Sequence, residues 1–267
     1  VTHVYTENGV YQATLKVVST SGTTSTSKPV TIVVGNTAPE PVIENPLAGA
    51  LYEIRQNVAL VGRALDAEDG ELAGDALKWQ VVAEWTDGGT IQRDVVFEGV
   101  GAEASFAMGI DWHDDMVYQV HLSAVDSAGL ANTVTRTVRF TRLQVQAADR
   151  MGNFRLMETD DVDGGLHAVT ADSGAYMVWN EVNLTGRPVL FVQAKSDAGA
   201  LLDLRSGGLD GRVLAIASVP PGGGWGIVPF ALSDAAGVHD LYLVVNRIER
   251  GEVAINWVQA VGSGPGR

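Results

Sequence analysis

Short runs of alternating apolar and polar residues recur along the whole chain. Apolar side chains alternate at Tyr11, Ala13 and Leu15, and the same pattern returns between Tyr118 and Ala124. Alternation with a period of two is typical of β-strands that bury one face. Long patterns with the period of an amphipathic helix are absent from the sequence. The sequence therefore predicts an all-β protein.

Two segments of the chain share one sequence pattern. Residues 10–22 (VYQATLKVVSTSG) align with residues 117–129 (VYQVHLSAVDSAG), and an acidic residue, Glu7 or Asp114, precedes each copy at the same offset. In each copy a tyrosine is followed two residues later by a small or apolar residue, which is the pattern of a tyrosine corner leading into an immunoglobulin-like strand. We therefore expect two related immunoglobulin-like hairpins.

Residues 3–11 (HVYTENGVY), which lead into the first copy, resemble the closing half of a polycystic kidney disease-type (PKD) domain. This resemblance implies that residues 1–36 form a partial PKD-type immunoglobulin-like domain. Because only that half is present, we expect its core face to be incomplete or to be covered by other contacts. The proline-containing segment NTAPEP that follows predicts a stiff connector, and hence a first domain boundary.

The middle of the chain, residues 37–143, contains several strand-like runs and two acidic turn motifs, LDAEDG at 65–70 and DSAGL at 126–130. These motifs resemble the immunoglobulin-like module that lies between catalytic and sugar-binding domains in bacterial sugar dehydrogenases. The resemblance implies that this region is an immunoglobulin-like β-sandwich.

Five motifs follow in order in the C-terminal region: VQAAD, SGAYMVWNEVNLTG, VPPGGGW, GVHDLYLVV and AINW, which together span residues 145–257. In this order they resemble the family 6 carbohydrate-binding modules over residues 144–262. The resemblance implies a jelly-roll β-sandwich for residues 144–267. The expected architecture is thus a series of tandem β-sandwiches, immunoglobulin-like domains followed by a jelly roll.

Sugar-binding modules stack flat aromatic side chains on a pyranose ring and hydrogen-bond its hydroxyl groups. The resemblance implies that Tyr176, Trp179 and Trp225 are the carbohydrate-binding residues. Tyr176 and Trp179 are three residues apart on a predicted strand and point to opposite faces, so at least one is expected in the core. Two positions depart from the family pattern, since Val228 replaces an aromatic residue and Ala254 an asparagine. The sequence therefore leaves three alternatives for sugar binding: it is weak, it has shifted to another surface of the sandwich, or it has been lost.

The same resemblance implies a structural calcium ion. The family takes its ligands from an opening acidic pair and from an aspartate in the last strand, and the corresponding residues here are Gln146, Ala148 and Asn256. Because calcium prefers carboxylate oxygens, neutral amides at these positions predict weak binding. Gln146 and Asn256 are the candidate calcium ligands.

Other acidic groups and the histidines give no clear metal site. Four carboxylates could gather at one end of the middle sandwich as a calcium site, although turn formation explains them equally well: Asp66, Glu68, Asp69 and Asp126. The acidic segment 158–164 is expected to be a solvated turn, because Thr159 and Thr170 stand where an EF-hand requires acidic ligands. No metal-binding spacing connects the histidines, which are His3, His113, His121, His167 and His239.

Composition narrows the possible functions. The formal net charge of −14 disfavours a nucleic-acid partner. The absence of cysteine excludes disulfides and thiolate zinc sites. No apolar run is long enough to span a membrane. Because the first residues already look like part of a strand, we expect the chain to be an excerpt of a longer protein with its targeting signal upstream.

No nucleophile elbow, phosphate-binding loop or paired catalytic carboxylates can be identified in the sequence. We therefore expect no enzyme, but a non-catalytic carbohydrate-binding accessory region of a larger secreted bacterial protein that is carbohydrate-active or sugar-oxidising. Its partners would be a polysaccharide or oligosaccharide and an upstream catalytic domain of the same polypeptide. The alternative is a structural or adhesive stalk that has lost sugar binding, and an unrecognised hydrolase is a third possibility.

Overall fold

The computed structural model describes residues 2–87, 90–109, 116–160, 165–262 and 264. These residues form β-strands and two 3-10 helical turns, Gly74–Ala76 and Val145–Ala147, without an α-helix. None of the helices in these ranges is long and apolar enough to cross a membrane. The prediction of an all-β fold built from tandem β-sandwiches is confirmed. Several positions used in the sequence analysis lie outside the described residues, namely His113, Asp114 and residues 161–164.

The N-terminal residues form a long, interrupted hairpin. Its strands are β1 (Gly9–Ala13), β2 (Lys16–Val18), β3 (Thr24–Thr26) and β4 (Val30–Val34), and β1 pairs with β4 while β2 pairs with β3. The hydroxyl of Tyr11 donates a hydrogen bond to the carbonyl oxygen of Glu7 at 3.0 Å. Leu15 is 64% exposed, and no strand elsewhere in the described residues pairs with this hairpin. Its resemblance to half of a PKD-type domain stays a prediction.

The middle β-sandwich consists of two sheets packed face to face. Its strands are β5 (Glu40–Asn45), β6 (Leu51–Tyr52), β7 (Asn57–Asp66), β8 (Gly70–Leu72), β9 (Leu77–Asp87), β10 (Thr90–Val100), β11 (Glu103–Ala107), β12 (Val117–Val125) and β13 (Ala131–Phe140). One sheet has the order β10-β9-β12-β13-β6, and the other has the order β11-β7-β5 with β8 paired to β7. Every second residue of β12 is buried between the sheets, as its alternating sequence predicts. The hydroxyl of Tyr118 accepts a hydrogen bond from the backbone N–H of Gly109.

The C-terminal β-sandwich begins with β14 (Arg142–Gln144), and its remaining strands follow without a helix longer than one turn. They are β15 (Arg150–Gly152), β16 (Arg155–Glu158), β17 (Leu166–Thr170), β18 (Tyr176–Asn183), β19 (Val189–Ser196), β20 (Ala200–Ser206), β21 (Arg212–Val219), β22 (Gly226–Ala231), β23 (Val238–Ile248) and β24 (Val253–Val261). The β24 sheet has the order β16-β17-β24-β19-β22, with β14 also paired to β24. The β18 sheet has the order β15-β18-β23-β20-β21. One large apolar core lies between the two sheets.

The domain boundaries proposed from the sequence, after residues 36 and 143, stay predictions. One strand bears on the second boundary, because β14 begins at Arg142 and pairs with β24 of the C-terminal sandwich. The strands of the C-terminal sandwich therefore start slightly before residue 144.

Candidate functional site

The structure places the three aromatic residues predicted to bind sugar in three separate environments. Trp179 lies in the core between the two C-terminal sheets and has 0% of its surface exposed. Its indole N–H donates to the backbone carbonyl of Gln144 at 3.3 Å. A fully buried ring offers no face to a ligand, so Trp179 is a core residue and the expectation that it stacks on a sugar is corrected.

Tyr176 points in the opposite direction, onto the outer surface of the β18 sheet. It is half-buried and packs with Tyr242, Val178 and Val244 in a small apolar cluster. The rings of Tyr176 and Tyr242 are stacked with their centroids 6.3 Å apart. Gly152 leaves the room for this arrangement, because a Cβ at that position would collide with the Tyr176 ring.

Trp225 lies on the other side of the sandwich, where three side chains of the β24 sheet region hold it. Its indole N–H donates to Asp160 Oδ1 at 2.8 Å. The ammonium of Lys195 lies 4.5 Å from the centroid of the Trp225 ring, in the geometry of a cation–π contact. The ring of His167 stands nearly perpendicular to the indole at a centroid distance of 5.4 Å. Trp225 is thus half-buried and held in one orientation.

A pocket of about 300 Å³ lies beside Trp225, on the outer surface of the β24 sheet. Ala168 and Ala194 are in the core, so the neighbouring residues of β17 and β19 point outward and form part of this pocket. The pocket combines charged, polar and apolar side chains. It is lined by Arg155, Met157, His167, Val169, Lys195, Ser196, Asp197, Gly223, Glu252 and Ala254.

Charged groups are paired around this pocket. The ammonium of Lys195 lies 2.7 Å from Asp160 Oδ1, and the guanidinium of Arg155 lies 2.6 Å from Glu252 Oε1. The hydrogen bond from Lys195, followed by that from Trp225, lowers the pKa of Asp160 from 3.8 to about 2. Burial, followed by the positive charge of Lys195, lowers the pKa of His167 below its ordinary value of 6.5. At neutral pH Asp160 is therefore ionised and His167 is uncharged.

The two departures from the family pattern occupy different places. Ala254 lines the pocket, so the missing asparagine removes a polar group from the pocket wall. Val228 is 3% exposed and belongs to the core between the sheets. The replacement at residue 228 therefore changes the core and does not remove an aromatic side chain from the pocket.

The candidate calcium ligands supply only neutral oxygens. Gln146 lies in the turn Val145–Ala147, which packs against β17 and β24, and Asn256 lies in β24 with 1% of its surface exposed. The Oε1 atom of Gln146 is buried and has no hydrogen-bond partner among the described residues. Two amides without a carboxylate do not fit a tightly held calcium ion, because they do not compensate its charge.

The acidic residues of the middle sandwich do gather at one end of it. Asp126 Oδ2 accepts a hydrogen bond from Asn36 Nδ2, and Glu68 Oε2 accepts one from the hydroxyl of Thr37. Asp69 accepts hydrogen bonds from the backbone and the hydroxyl of Ser127. Within the described ranges, however, no group of three His, Cys, Asp or Glu residues is arranged to hold a metal ion. These hydrogen bonds connect the proline-containing segment that begins at Asn36 to the turns at residues 65–70 and 126–130 of the sandwich.

Sequence reasoning missed three residues that surround Trp225. Asp160 lies in a segment that the sequence predicts as a solvated turn, His167 belongs to no metal-binding spacing, and Lys195 belongs to no motif. Their positions on separate segments carry no short-range pattern, so no motif connects them. The one available signal was alternation, since Ala168 and Ala194 as core residues require His167 and Lys195 to face outward.

Comparison with known proteins identifies the relatives of the C-terminal sandwich. Residues 144–261 match the family model described as carbohydrate binding module (family 6). The predicted family resemblance of this region is thereby confirmed, whereas the resemblances proposed for the two preceding regions stay predictions. No curated protein is detectably similar to the chain.

Several solved structures are similar to parts of the chain. A β-1,3-glucan binding family 6 module from Bacillus halodurans is 26% identical with a TM-score of 0.42, and the match covers 45% of this chain and 93% of that one. The module CsCBM6-3 from Clostridium stercorarium, solved with cellobiose, is 20% identical with a TM-score of 0.41, covering 46% and 93%. A family 43 arabinoxylan arabinofuranohydrolase from Bacillus subtilis is 14% identical with a TM-score of 0.43, covering 93% and 66%. The C-terminal region thus matches a family of carbohydrate-binding modules.

Proposed function

We propose that the chain binds a polysaccharide or oligosaccharide in the pocket beside Trp225. The observation that carries this proposal is the fixed, half-buried indole of Trp225 at the edge of a pocket with polar and charged walls. A sugar site needs an aromatic surface and fixed hydrogen-bonding groups, and preorganised groups lose little entropy when the ligand binds.

The walls of the pocket provide both kinds of contact. Met157 and Val169 contribute apolar surface, while Asp197 and Glu252 contribute oxygens that can accept hydrogen bonds from sugar hydroxyls. Lys195 and Arg155 contribute donors that are already oriented by their ion pairs. The absence of an amide at Ala254 removes one hydrogen-bonding group from the pocket wall and predicts weaker binding than a wall with an asparagine would give.

Titration calorimetry of the whole chain with a broad panel of glycans tests the proposal. For any glycan that binds, Trp225→Ala should weaken the affinity about tenfold or more, since a loss of about 1.4 kcal/mol of contact energy corresponds to a factor of ten. Ile227→Ala is the matched control, because Ile227 is 52% exposed in the adjoining strand and does not line the pocket. This control should bind like the unaltered protein.

Tyr176→Ala distinguishes between the two outer surfaces of the sandwich as possible binding sites. Because Tyr176 lies on the β18 sheet, its replacement should leave binding at the Trp225 pocket unchanged. A loss of binding with Tyr176→Ala but not with Trp225→Ala would move the sugar site to the β18 sheet. Absence of binding to the entire panel would instead favour the structural or adhesive stalk.

The wider role of the chain is part of the same proposal. We infer a non-catalytic accessory region of a larger, secreted bacterial carbohydrate-active or sugar-oxidising protein, in which an upstream catalytic domain acts on the bound glycan. The family match of residues 144–261 supports the binding role. Release of products from a bound glycan by the purified chain would contradict the non-catalytic role.

Calcium held by Gln146 and Asn256 is a separate proposal. The buried Oε1 of Gln146 would gain a partner from a bound cation, but neutral donors predict a dissociation constant on the order of millimolar. Raising calcium into that range should increase the melting temperature by mass action, and a chelator should reverse the increase. The calcium concentration for this test is about ten times the expected dissociation constant. An identical melting temperature with this calcium concentration and with chelator would exclude the site.

A further inference from the structure

One short segment of the middle sandwich, residues 48–52, reaches onto the C-terminal sandwich. The backbone carbonyls of Gly49 and Ala48 accept hydrogen bonds from the N–H and the side-chain amide of Asn183, at 2.9 and 3.2 Å. Gly49 has a positive φ of 66° and lies directly against the backbone of β18. A Cβ at this position would collide with the carbonyl oxygen of Glu181, so the close approach requires glycine.

Leu51 joins the two sandwiches through both its backbone and its side chain. Its backbone pairs with Arg139 in a sheet of the middle sandwich. Its side chain is 6% exposed and belongs to the apolar core of the C-terminal sandwich. The buried guanidinium of Arg187 donates to the carbonyl of Leu51 at 3.1 Å and also to carbonyls at the end of the chain's last strand. The middle sandwich thus supplies part of the C-terminal core.

A second group of contacts lies on β13. Arg139 is 5% exposed, and its guanidinium donates to both carboxylate oxygens of Asp149 at 2.7 Å. Asp149 also accepts a hydrogen bond from the backbone N–H of Asn180 in β18. A bidentate pair that is largely removed from solvent fixes orientation as well as distance. Beside Arg139, between β13 and Trp179, only about 10 Å³ is wide enough to admit a water molecule.

We infer that the middle and C-terminal sandwiches form one rigid, cooperatively folding unit, in which the surface around Glu181, Asn183 and Arg187 specifically binds residues 48–52 of the same chain. The C-terminal sandwich is incomplete without this segment, and its pocket is held at a constant orientation to the middle sandwich. This inference rests on the contacts between the sandwiches and is independent of the proposed sugar binding.

Calorimetric unfolding of the whole chain gives the first test. If the two sandwiches are one unit, residues 37–262 unfold in a single transition whose van't Hoff enthalpy equals the calorimetric enthalpy. Two separate transitions, or a calorimetric enthalpy about twice the van't Hoff value, would overturn the inference.

Gly49→Ala tests the contact with a matched control. The added Cβ meets backbone atoms that cannot move aside, so the segment should leave β18 and the single transition should separate into two. Gly74→Ala is the control, because Gly74 has a similar positive φ of 58° with no atoms near its Cβ position. The control should lower the melting temperature by only about 2–4 °C and keep one transition. Equal effects of the two variants would contradict the inference.

Hydrogen exchange provides a readout that does not depend on altering the contact. Leu60 is fully buried in the core of the middle sandwich and lies outside the contact. If the sandwiches unfold together, Leu60→Ala should accelerate exchange of the most protected amides in β23 and β24 as well as in β7. Unchanged exchange in β23 and β24 would show that the two sandwiches unfold independently.

Discussion

At the scale of single residues, the candidate site depends on Asp160, which connects two other side chains. Its carboxylate accepts hydrogen bonds from both Lys195 and Trp225. The first of these donors contributes most to holding the pKa of Asp160 at about 2, so the carboxylate is ionised throughout the neutral range. Its contribution to stability is present above pH 3.8 and is lost only as the pH falls toward about 2. The ionised Asp160 therefore accepts the hydrogen bond that orients Trp225 at every pH at which binding would be measured.

His167 predicts a pH dependence of stability. Its pKa in the folded protein is lowered, by burial first and then by Lys195, so the unfolded chain binds a proton more readily than the folded one. Above the ordinary pKa of 6.5 the residue is neutral in both states, and stability should fall as the pH decreases below 6.5. Melting temperatures measured from pH 8 to pH 5, about 1.5 units on either side of that pKa, should show this decrease. His167→Gln should reduce the slope of melting temperature against pH. Identical slopes for the two proteins would contradict the prediction.

At the scale of elements, strand β18 shows how alternation distributes aromatic residues between two surfaces. Met177 and Trp179 face the core, whereas Tyr176 and Val178 face outward. After Trp179 the pairing with β23 shifts register, and Glu181 adopts a positive φ of 52°. The shifted segment is the part of β18 that contacts Gly49. One strand thus contributes to the core, to an outer aromatic surface and to the contact between sandwiches.

The core position of Trp179 predicts a large effect on stability. Trp179→Ala should lower the free energy of unfolding by about 3–5 kcal/mol, because it removes buried surface and leaves a cavity. Trp225→Ala should cost much less, since Trp225 is only half-buried at the surface. Denaturant unfolding with an unchanged m-value measures both effects. Similar losses for the two variants would mean that Trp225 is also part of the core.

At the scale of the whole molecule, the contacts of residues 48–52 and Arg139 change the role expected for the middle sandwich. The sequence alone predicted an immunoglobulin-like sandwich, residues 37–143, followed by a separate jelly roll, residues 144–267. The structure instead places Leu51 of the middle sandwich in the C-terminal core. Binding experiments therefore need the whole chain, because a fragment that begins at residue 144 would lack Leu51, the carbonyl partners of Asn183 and the first two residues of β14.

Local patterns in the sequence were sufficient for the fold class and for the family of the C-terminal region. Alternation and turn residues act over a few residues, so each strand carries this information by itself, and the family resemblance needed only the order of short motifs along the chain. The same local information showed that Tyr176 and Trp179 face opposite ways. It did not show which of them is buried, because that depends on which side of the strand the second sheet covers.

Only the tertiary structure decided the site and the relation between the sandwiches. Asp160, His167, Lys195 and Trp225 lie on different segments, and only the packing of the β24 sheet brings them together. Gly49 likewise has a turn-like sequence context, and its close contact with Glu181 depends on how the two sandwiches meet. Contacts between residues far apart in the chain leave no periodic pattern in the sequence. The sequence by itself therefore determined the fold class and the family of the C-terminal region, whereas packing between strands decided the pocket and the contact between the two sandwiches.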